Sequence, residues 1–256
     1  MPRTRATATE IPTTLELDIE PWSFSLAEQL TADAGKPAIP KGQRTLLKLK
    51  AGAAATLNAV SYQAMRVADI VKAANVSHGL FYHYFADKQA ITLDLLSEFM
   101  RASDARYSQI HASKDAFESL YVANIYYLNV YRKNIGLMRA ALSLSDEVAT
   151  FRDAWNDTVD RWHKRIARSI RAQHNPSNLL EADADLLAYC LGAMIDQILR
   201  QLFVQQNPHL RQLALDQRHV AEVLSIAWFR ATYGRDPTAK QIEACRKLTI
   251  ASQGAT

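Results

Sequence analysis

Residues 61–88, SYQAMRVADIVKAANVSHGLFYHYFADK, join a short apolar helix pattern to a window crowded with aromatic rings and histidines. On a helical wheel, Phe81 and Phe85 fall on an apolar side of the second half. His78, Tyr82 and His83 fall on the other side, together with bare backbone. This division predicts a helix whose back lies against a core and whose front faces a partner.

The segment before this helix completes a motif. Residues 65–73 predict a short helix, which ends at the break 74–76. Asn75 tolerates the left-handed conformation that a sharp turn requires. Ser77 is predicted to cap the following helix, and Asp87 the one after it. Two helices joined in this way form a helix-turn-helix, whose second helix lies in the major groove of DNA.

The chemistry of the exposed side suits a phosphate backbone. His78 can donate to a base edge or a phosphate, and Gly79 lets a sugar-phosphate strand approach closely. Lys88 offers a cation at a helix N-terminus. No carboxylate or cysteine stands nearby at ligand spacing, so no metal site is expected. The predicted DNA-contacting residues are Lys48, Arg66, Ser77, His78, Gly79, Leu80, Tyr82, His83, Tyr84 and Lys88.

The charge distribution agrees with a polyanionic partner. Between positions 41 and 90 there are seven basic residues and two acidic ones, whereas the first forty residues carry three basic and six acidic ones. The formal net charge of the whole chain is only +4. The positive charge is therefore concentrated around the motif, which is typical of a nucleic-acid interface.

Composition favours an all-α protein. The 256 residues include only 8 Gly and 8 Pro, so turns are sparse and long helices with short connections are expected. The sequence has no phosphate-binding glycine motif and no plausible nucleophile–base pair, so neither a cofactor nor an enzymatic activity is predicted. Two distant cysteines fit a reducing cytoplasm, and no apolar run approaches the roughly 20 residues that a membrane span needs.

Residues 61–88 resemble the helix-turn-helix of the tetracycline-repressor (TetR) family of transcriptional regulators. The matching elements are an aromatic residue at 62, the pair at 69–70, the turn at 74–77, and the residues at 79, 82, 84–85 and 88. The chain departs from the family pattern at Ser61, Met65, Val71, Asn75 and Leu80. Leu80 stands where the family has a small hydroxyl residue, and the helical wheel favours a core position for it.

The resemblance implies a C-terminal domain that binds a small molecule and dimerises. Apolar stripes at helical spacing supply candidate pocket residues, and the alternative, favoured for any single residue, is ordinary core. Asp196 lies within an apolar helix, where it is either a polar group of the pocket or a partner of Arg200 one turn later. The candidate ligand-binding residues are Phe117, Tyr121, Asn124, Met138, Trp155, Trp162 and Asp196.

The predicted organisation has four parts. Residues 1–40 are a partly disordered N-terminal extension and residues 41–88 are the DNA-binding domain. Residues 89–234 are the ligand-binding and dimerisation domain, and residues 235–256 are a tail with a short helix. The last two long helices, near 181–206 and 217–233, are predicted to form a two-fold four-helix interface.

These observations predict a cytoplasmic, homodimeric repressor of a palindromic operator that a small, mainly apolar ligand releases. One alternative is a DNA-binding protein that acts without a ligand. The other is an all-helical carrier or enzyme whose small N-terminal domain has no role in binding DNA.

Overall fold

The computed structural model of the chain describes residues 24–109, 113–173, 181–214 and 216–251. Over these ranges the regular structure is helical and no β-strand occurs, which confirms the predicted all-α class. The helices are α1 (Leu26–Gly35), α2 (Lys41–Ala59), α3 (Val67–Ala74), α4 (His78–Phe81), α5 (Lys88–Gln109), α6 (Ala116–Lys133), α7 (Ile135–Glu147), α8 (Ala149–Gln173), α9 (Glu181–Leu199), a π-helical turn (Arg200–Val204), α10 (Pro208–Leu213), α11 (Gln217–Tyr233) and α12 (Ala239–Ala251).

The N-terminal extension contributes an ordered helix, α1. Ser25 caps it by accepting a hydrogen bond from the Glu28 amide at 3.3 Å. Leu26 and Leu30 are fully buried as α1 packs along α2. Residues 1–23 lie outside the described residues, so the predicted disorder of this part is not addressed by the structure.

Asn134, between α6 and α7, fastens the start of α1 to the C-terminal half of the chain. Its side-chain oxygen accepts from the Leu26 amide at 2.8 Å, and its side-chain nitrogen donates to the carbonyls of Phe24 and Val130, both at 2.8 Å. Asn134 is 2% exposed, so these bonds are shielded from water. Helix α1 therefore connects two parts of the fold that are far apart in sequence.

Helices α2, α3 and α4 form the helix-turn-helix unit. Gly52 lets α2 approach α3 closely, because a Cβ atom there would lie 2.8 Å from the Ala74 amide nitrogen and 2.9 Å from the Ile70 carbonyl oxygen. Lys50, buried on α2, forms ion pairs with Asp94 at 2.7 Å and with Glu98, both on α5. This unit is thereby fastened to the first helix of the C-terminal region.

A second junction joins α2 to α7. A Cβ atom on Gly136 would lie only 2.3–2.5 Å from backbone atoms of Leu57 and Asn58 at the end of α2. Arg139 donates to the carbonyls of Leu57 at 2.8 Å and Asn58 at 3.2 Å, where the last carbonyls of a helix lack partners. The two helices are thus in direct backbone contact at this point.

Helix α6 is the centre of the C-terminal region and is covered on several sides. Tyr126 lies beside Tyr107 of α5, and Phe117 meets Phe229 of α11 edge-on at 5.6 Å. Tyr131 lies 6.3 Å from the ring of Phe203 in the π-helical turn. Ten of its eighteen residues are buried, so α6 is the helix on which the surrounding helices pack.

The predicted helix limits and the predicted absence of a long apolar segment have different outcomes. Helix α11 has the predicted limits, whereas α10 and the π-helical turn were not predicted. The stretch Asp183–Val204 is long and apolar enough to cross a membrane by length and composition alone, and 22% of its apolar window is buried inside the chain. The expectation that no segment reaches this length was therefore wrong.

Candidate functional site

The turn between α3 and α4 has the geometry that the motif requires. Asn75 adopts a left-handed conformation with φ 53° and ψ 52°, as predicted. The Val76 amide donates to the Val71 carbonyl at 3.1 Å, which closes the end of α3. Ile70 is fully buried. Helix α3 is consequently held against the core while the chain reverses direction into α4.

Helix α4 has one buried side and one exposed side. Phe81 is fully buried, and Phe85 packs against the same core with its ring 6.0 Å from that of Phe81. Tyr82 is 53% exposed, and His78 and His83 are exposed beside it. The amides of residues 83–85 continue the helical pattern by bonding to the carbonyls of residues 80 and 81. The predicted separation of core and surface groups is present.

Two details of α4 differ from the prediction. The Ser77 side chain forms no capping hydrogen bond, although Ser77 has the extended backbone of an N-cap residue. Its hydroxyl is exposed and remains free for another partner. Leu80 is only half-buried and is not among the described residues that pack against the hydrophobic core. The core position that the helical wheel favoured for Leu80 was therefore wrong.

Gly79 has no packing reason to be glycine. A Cβ atom added there would find no atom within 4 Å, and its φ does not lie in the left-handed region. Gly52 and Gly136, by contrast, are forced by neighbouring backbone. The bare backbone at Gly79 therefore faces open space, where a partner could approach closely.

Tyr84 connects α4 to the start of α2. Its hydroxyl donates to the Gly42 carbonyl at 3.1 Å, and its ring is half-buried against the core. Of the predicted contact residues, Tyr84 is thus partly used within the chain. Lys48 and Arg66 are exposed, on α2 and at the start of α3 respectively, and the Arg66 amide donates to Asp69 at 3.0 Å.

Lys88 has a structural role that the sequence did not suggest. Its ammonium donates to the carbonyls of Tyr62, Gln63 and Met65 at 3.1, 3.0 and 3.0 Å, and lies 4.9 Å from the centre of the Tyr62 ring. An ammonium has three donors, and all three are used here. In this structure the Lys88 side chain therefore binds its own chain, and its contact with phosphate stays a prediction. Asp87 caps α5 as predicted, accepting from the Ala90 amide at 2.8 Å.

The predicted ligand-binding residues do not form one cluster. Phe117 and Tyr121 belong to a separate buried group with Phe229 and Cys245. Asn124 is buried and donates to the Ser225 hydroxyl of α11 at 2.8 Å. These three side chains of α6 therefore face α11, where they help to hold the two helices together.

The other four candidates lie elsewhere. Met138 is buried in the main core, and Trp155 is half-buried beside the ring of Phe151 at 6.0 Å. Trp162 packs on Tyr107 of α5 with the ring centres 4.3 Å apart. Asp196 accepts a hydrogen bond from the Tyr127 hydroxyl at 2.5 Å. The alternative partner of Asp196, Arg200, does not form an ion pair with it among the described residues.

Two residues near Asp196 were not predicted, Tyr127 on α6 and His163 on α8. Burial raises the pKa of Tyr127 well above its usual range, and the negative charge of Asp196 adds to this. Burial lowers the pKa of His163 and raises that of Asp196. A sequence signal was present only for Asp196, a lone acidic residue between apolar ones.

Comparison with known proteins matches two successive parts of the chain. The family of bacterial regulatory proteins called the tetR family matches residues 49–95, and the C-terminal domain of the transcriptional regulator EthR matches residues 121–234. Together they cover more than half of the chain. The first match contains α3, the left-handed turn and α4.

Complete proteins agree with these matches. The chain is 25% identical over 227 residues to the HTH-type transcriptional regulator EthR of Mycobacterium tuberculosis, covering 80% of this chain and 99% of that protein. It is 21% identical over 221 residues to EthR of Mycolicibacterium smegmatis, covering 84% of this chain and 98% of that protein.

Solved structures share the fold. The fatty acid degradation regulator FadR from Bacillus halodurans superposes with a TM-score of 0.54 at 17% identity, covering 75% of this chain and 96% of that one. A putative transcriptional regulator from Pseudomonas aeruginosa PAO1 superposes with a TM-score of 0.54 at 17% sequence identity. The superposition covers 82% of this chain and 96% of that one. These relatives are regulators and not enzymes. With the geometry of α3 and α4, the matches establish that this chain belongs to the tetR family and is a DNA-binding transcriptional regulator of the EthR type.

Proposed function

We propose that the protein is a cytoplasmic, homodimeric repressor that binds a palindromic operator and is released by a small, mainly apolar ligand. In this proposal residues 41–88 read DNA, and residues 89–234 bind the ligand and dimerise. The observation that carries the DNA-reading part is the exposed side of α4. His78, Tyr82 and His83 lie around a glycine whose backbone is open to a partner.

Charge supports this choice of face. Lys48, Arg66 and Lys72 are exposed on α2, at the start of α3 and on α3. No acidic residue of the helix-turn-helix unit forms an ion pair with these three cations among the described residues. Uncompensated cations near a recognition helix favour phosphate, and the released counterions make binding strongly dependent on salt.

The DNA-reading proposal can be tested by fluorescence anisotropy with labelled duplexes from the DNA that flanks the protein's own gene. We expect specific binding that weakens steeply as salt increases. Replacing Tyr82→Ala or His83→Ala should weaken binding about tenfold, whereas His209→Ala, an exposed histidine on α10, should not. Equal affinity for operator and unrelated DNA, or unchanged affinity in both the Tyr82 and the His83 variant, would contradict the proposal.

The dimer is proposed to form through α9 and α11. Leu186 on α9 is 65% exposed and Val223 on α11 is 50% exposed. Other leucines of these two helices, such as Leu191 and Leu224, are buried within their own chain. Gly192 of α9 accommodates the ring of His163 of the same chain. The interface proposed here therefore uses the outward residues of both helices.

Sedimentation equilibrium provides the test of the dimer. Leu186→Glu or Val223→Glu should shift the protein toward a monomer, because a charge would be buried without a partner. Leu213→Glu serves as the matched control, since Leu213 is 71% exposed on α10, outside the proposed interface. A dimer that withstands both substitutions would exclude this surface.

Release of DNA by a ligand is proposed to work through a population shift between two spacings of the recognition helices. The contacts suited to transmit it are those of Gly136 and Arg139 with the end of α2, and those of Lys50 with α5. Both junctions join the C-terminal region to the helix-turn-helix unit. An apolar compound that raises Tm and also lowers operator affinity would support the proposal. If DNA binding resists every compound that binds, the regulator acts without a ligand.

A further inference from the structure

Leu80 is an aliphatic residue on the outer part of the helix-turn-helix unit. It is the third residue of α4 and is half-buried. Val76, Tyr84 and Phe85 are half-buried as well, and all three pack against the hydrophobic core. Leu80 is not among the described residues that pack there. Its side chain therefore keeps apolar surface that the described part of the chain does not cover.

The neighbours of Leu80 are polar or lack a side chain. Gly79 precedes it, and a Cβ atom there would meet open space. His83 follows one turn later, is exposed, and donates its amide to the Leu80 carbonyl at 3.3 Å. The rings of His78 and Tyr82 lie against each other, with their centres 5.4 Å apart. Leu80 is thus an aliphatic group surrounded by groups that can form hydrogen bonds.

The position of Leu80 on α4 places it near the bases of bound DNA. In a helix-turn-helix the second helix lies in the major groove, and residues near its N-terminus reach the base edges. The base edges in this groove carry hydrogen-bonding atoms and one apolar group, the C5 methyl of thymine. A leucine side chain neither donates nor accepts a hydrogen bond. The thymine methyl is therefore the group of a base edge that complements it.

We propose that Leu80 is a specificity-determining residue that recognises one thymine in each half of the operator through its C5 methyl group. The contact removes apolar surface of both groups from water, which favours thymine over the other three bases at that position. This inference rests on the proposed binding of an operator, and it names the base that this part of α4 reads. The polar groups around Leu80 remain available for phosphates and for other base edges.

The first test changes the DNA and leaves the protein as it is. In the operator identified by its specific binding, each thymine of a half-site is replaced in turn by deoxyuridine, which differs from thymidine by the C5 methyl group alone. At one position the wild-type protein should lose about fourfold in affinity, as expected for one buried methyl group. Changing both half-sites should cost roughly sixteenfold, the product of two independent losses. Fluorescence anisotropy at constant salt measures both values.

The second test repeats these titrations with variants of the protein. Leu80→Ala should bind the thymine operator about fourfold to tenfold more weakly and should lose no further affinity with deoxyuridine. Leu80→Met keeps an apolar side chain of similar volume and should keep the dependence on the methyl group. Val60→Ala is the matched control, because Val60 is an aliphatic residue that is 36% exposed at the end of α2. It should behave like the wild type, and urea denaturation checks that all three variants fold.

The outcomes separate this inference from the proposed function. If the wild-type protein binds its operator specifically but no deoxyuridine substitution weakens binding, the inference is overturned and the proposed function stands. The inference is also overturned if Leu80→Ala binds as tightly as the wild type or retains the full dependence on the methyl group. Failure to bind any duplex better than unrelated DNA would overturn both.

Discussion

Helices α4 and α6 both carry aromatic and polar residues, but they direct the polar groups to opposite environments. His78 of α4, with Tyr82 and His83 in the turn that follows it, faces solvent, whereas Asn124 and Tyr127 of α6 face other helices. In α4 the partner is outside the molecule, so the chain alone leaves these groups free. In α6 the partners are other parts of the chain. The comparison teaches that residues for an external partner can be recognised locally, whereas interior groups gain their roles only from the tertiary fold.

The sharpest way to break this comparison is a pair of glycine substitutions. Gly136→Ala should destabilise the protein by about 2–3 kcal/mol, because its Cβ would overlap backbone of Leu57 and Asn58. Gly79→Ala, where the Cβ meets open space, should leave stability unchanged or slightly higher and weaken operator binding. Urea denaturation and DNA titration of both variants measure the two effects. If both variants lost the same stability, Gly136 and Gly79 would not differ in their importance for packing.

Lysine residues provide the next comparison. Lys88→Ala leaves three backbone carbonyls without their donor and should cost about 2 kcal/mol of folding stability. Lys48→Ala, at an exposed position on α2, should change stability little but lower the salt dependence of DNA binding. Thermal unfolding and anisotropy at several salt concentrations separate the two roles. If Lys88→Ala were as stable as the wild type, the three hydrogen bonds would be negligible.

The smallest expected effect concerns Asp196. Its folded-state pKa lies above the ordinary value of 3.8, so between those two values the native state retains a proton that the unfolded state has lost. Wild-type stability therefore falls as pH rises through this window and stays level above it. Asp196→Asn removes this cost and should raise Tm at neutral pH by about 1–2 °C, a small gain because the side chain is exposed to solvent.

Calorimetry of both proteins between acidic and neutral pH provides the measurement for Asp196. The advantage of the variant should grow as pH rises and then become constant. A variant that melts below the wild type at neutral pH would show that the carboxylate stabilises the fold. That result would contradict the prediction that the ionised carboxylate lowers folding stability.

The sequence predicted the helix-turn-helix accurately because its signals are local. Asn75 in the left-handed turn, the burial of Phe81 and the cap at Asp87 each depend on neighbours within a few positions. The structural role of Lys88 was missed because its three acceptors lie 23 to 26 residues earlier. The core position predicted for Leu80 was wrong because a helical wheel shows the apolar side of a helix but not how far the core extends along it.

The C-terminal region was predictable as helices but not as a site. Tyr127 and Asp196 are 69 positions apart, and only the packing of α6 and α9 brings them together. Phe117 and Tyr121 have the spacing of a pocket wall, yet they pack on α11. Periodicity shows which face of a helix is buried, and it does not show which helix covers that face.

The hydrogen bonds of Asn134 have a consequence for the order in which the molecule assembles. The backbone that they hold, at Phe24 and Leu26, is synthesised more than a hundred residues before Asn134 itself. During translation α1 can pair with α2, but the start of α1 reaches its final bonded state only after α6 has emerged from the ribosome. A shortened chain that begins at α2 would expose the surface that Leu26 and Leu30 cover, and would leave Asn134 with only Val130 of its three partners.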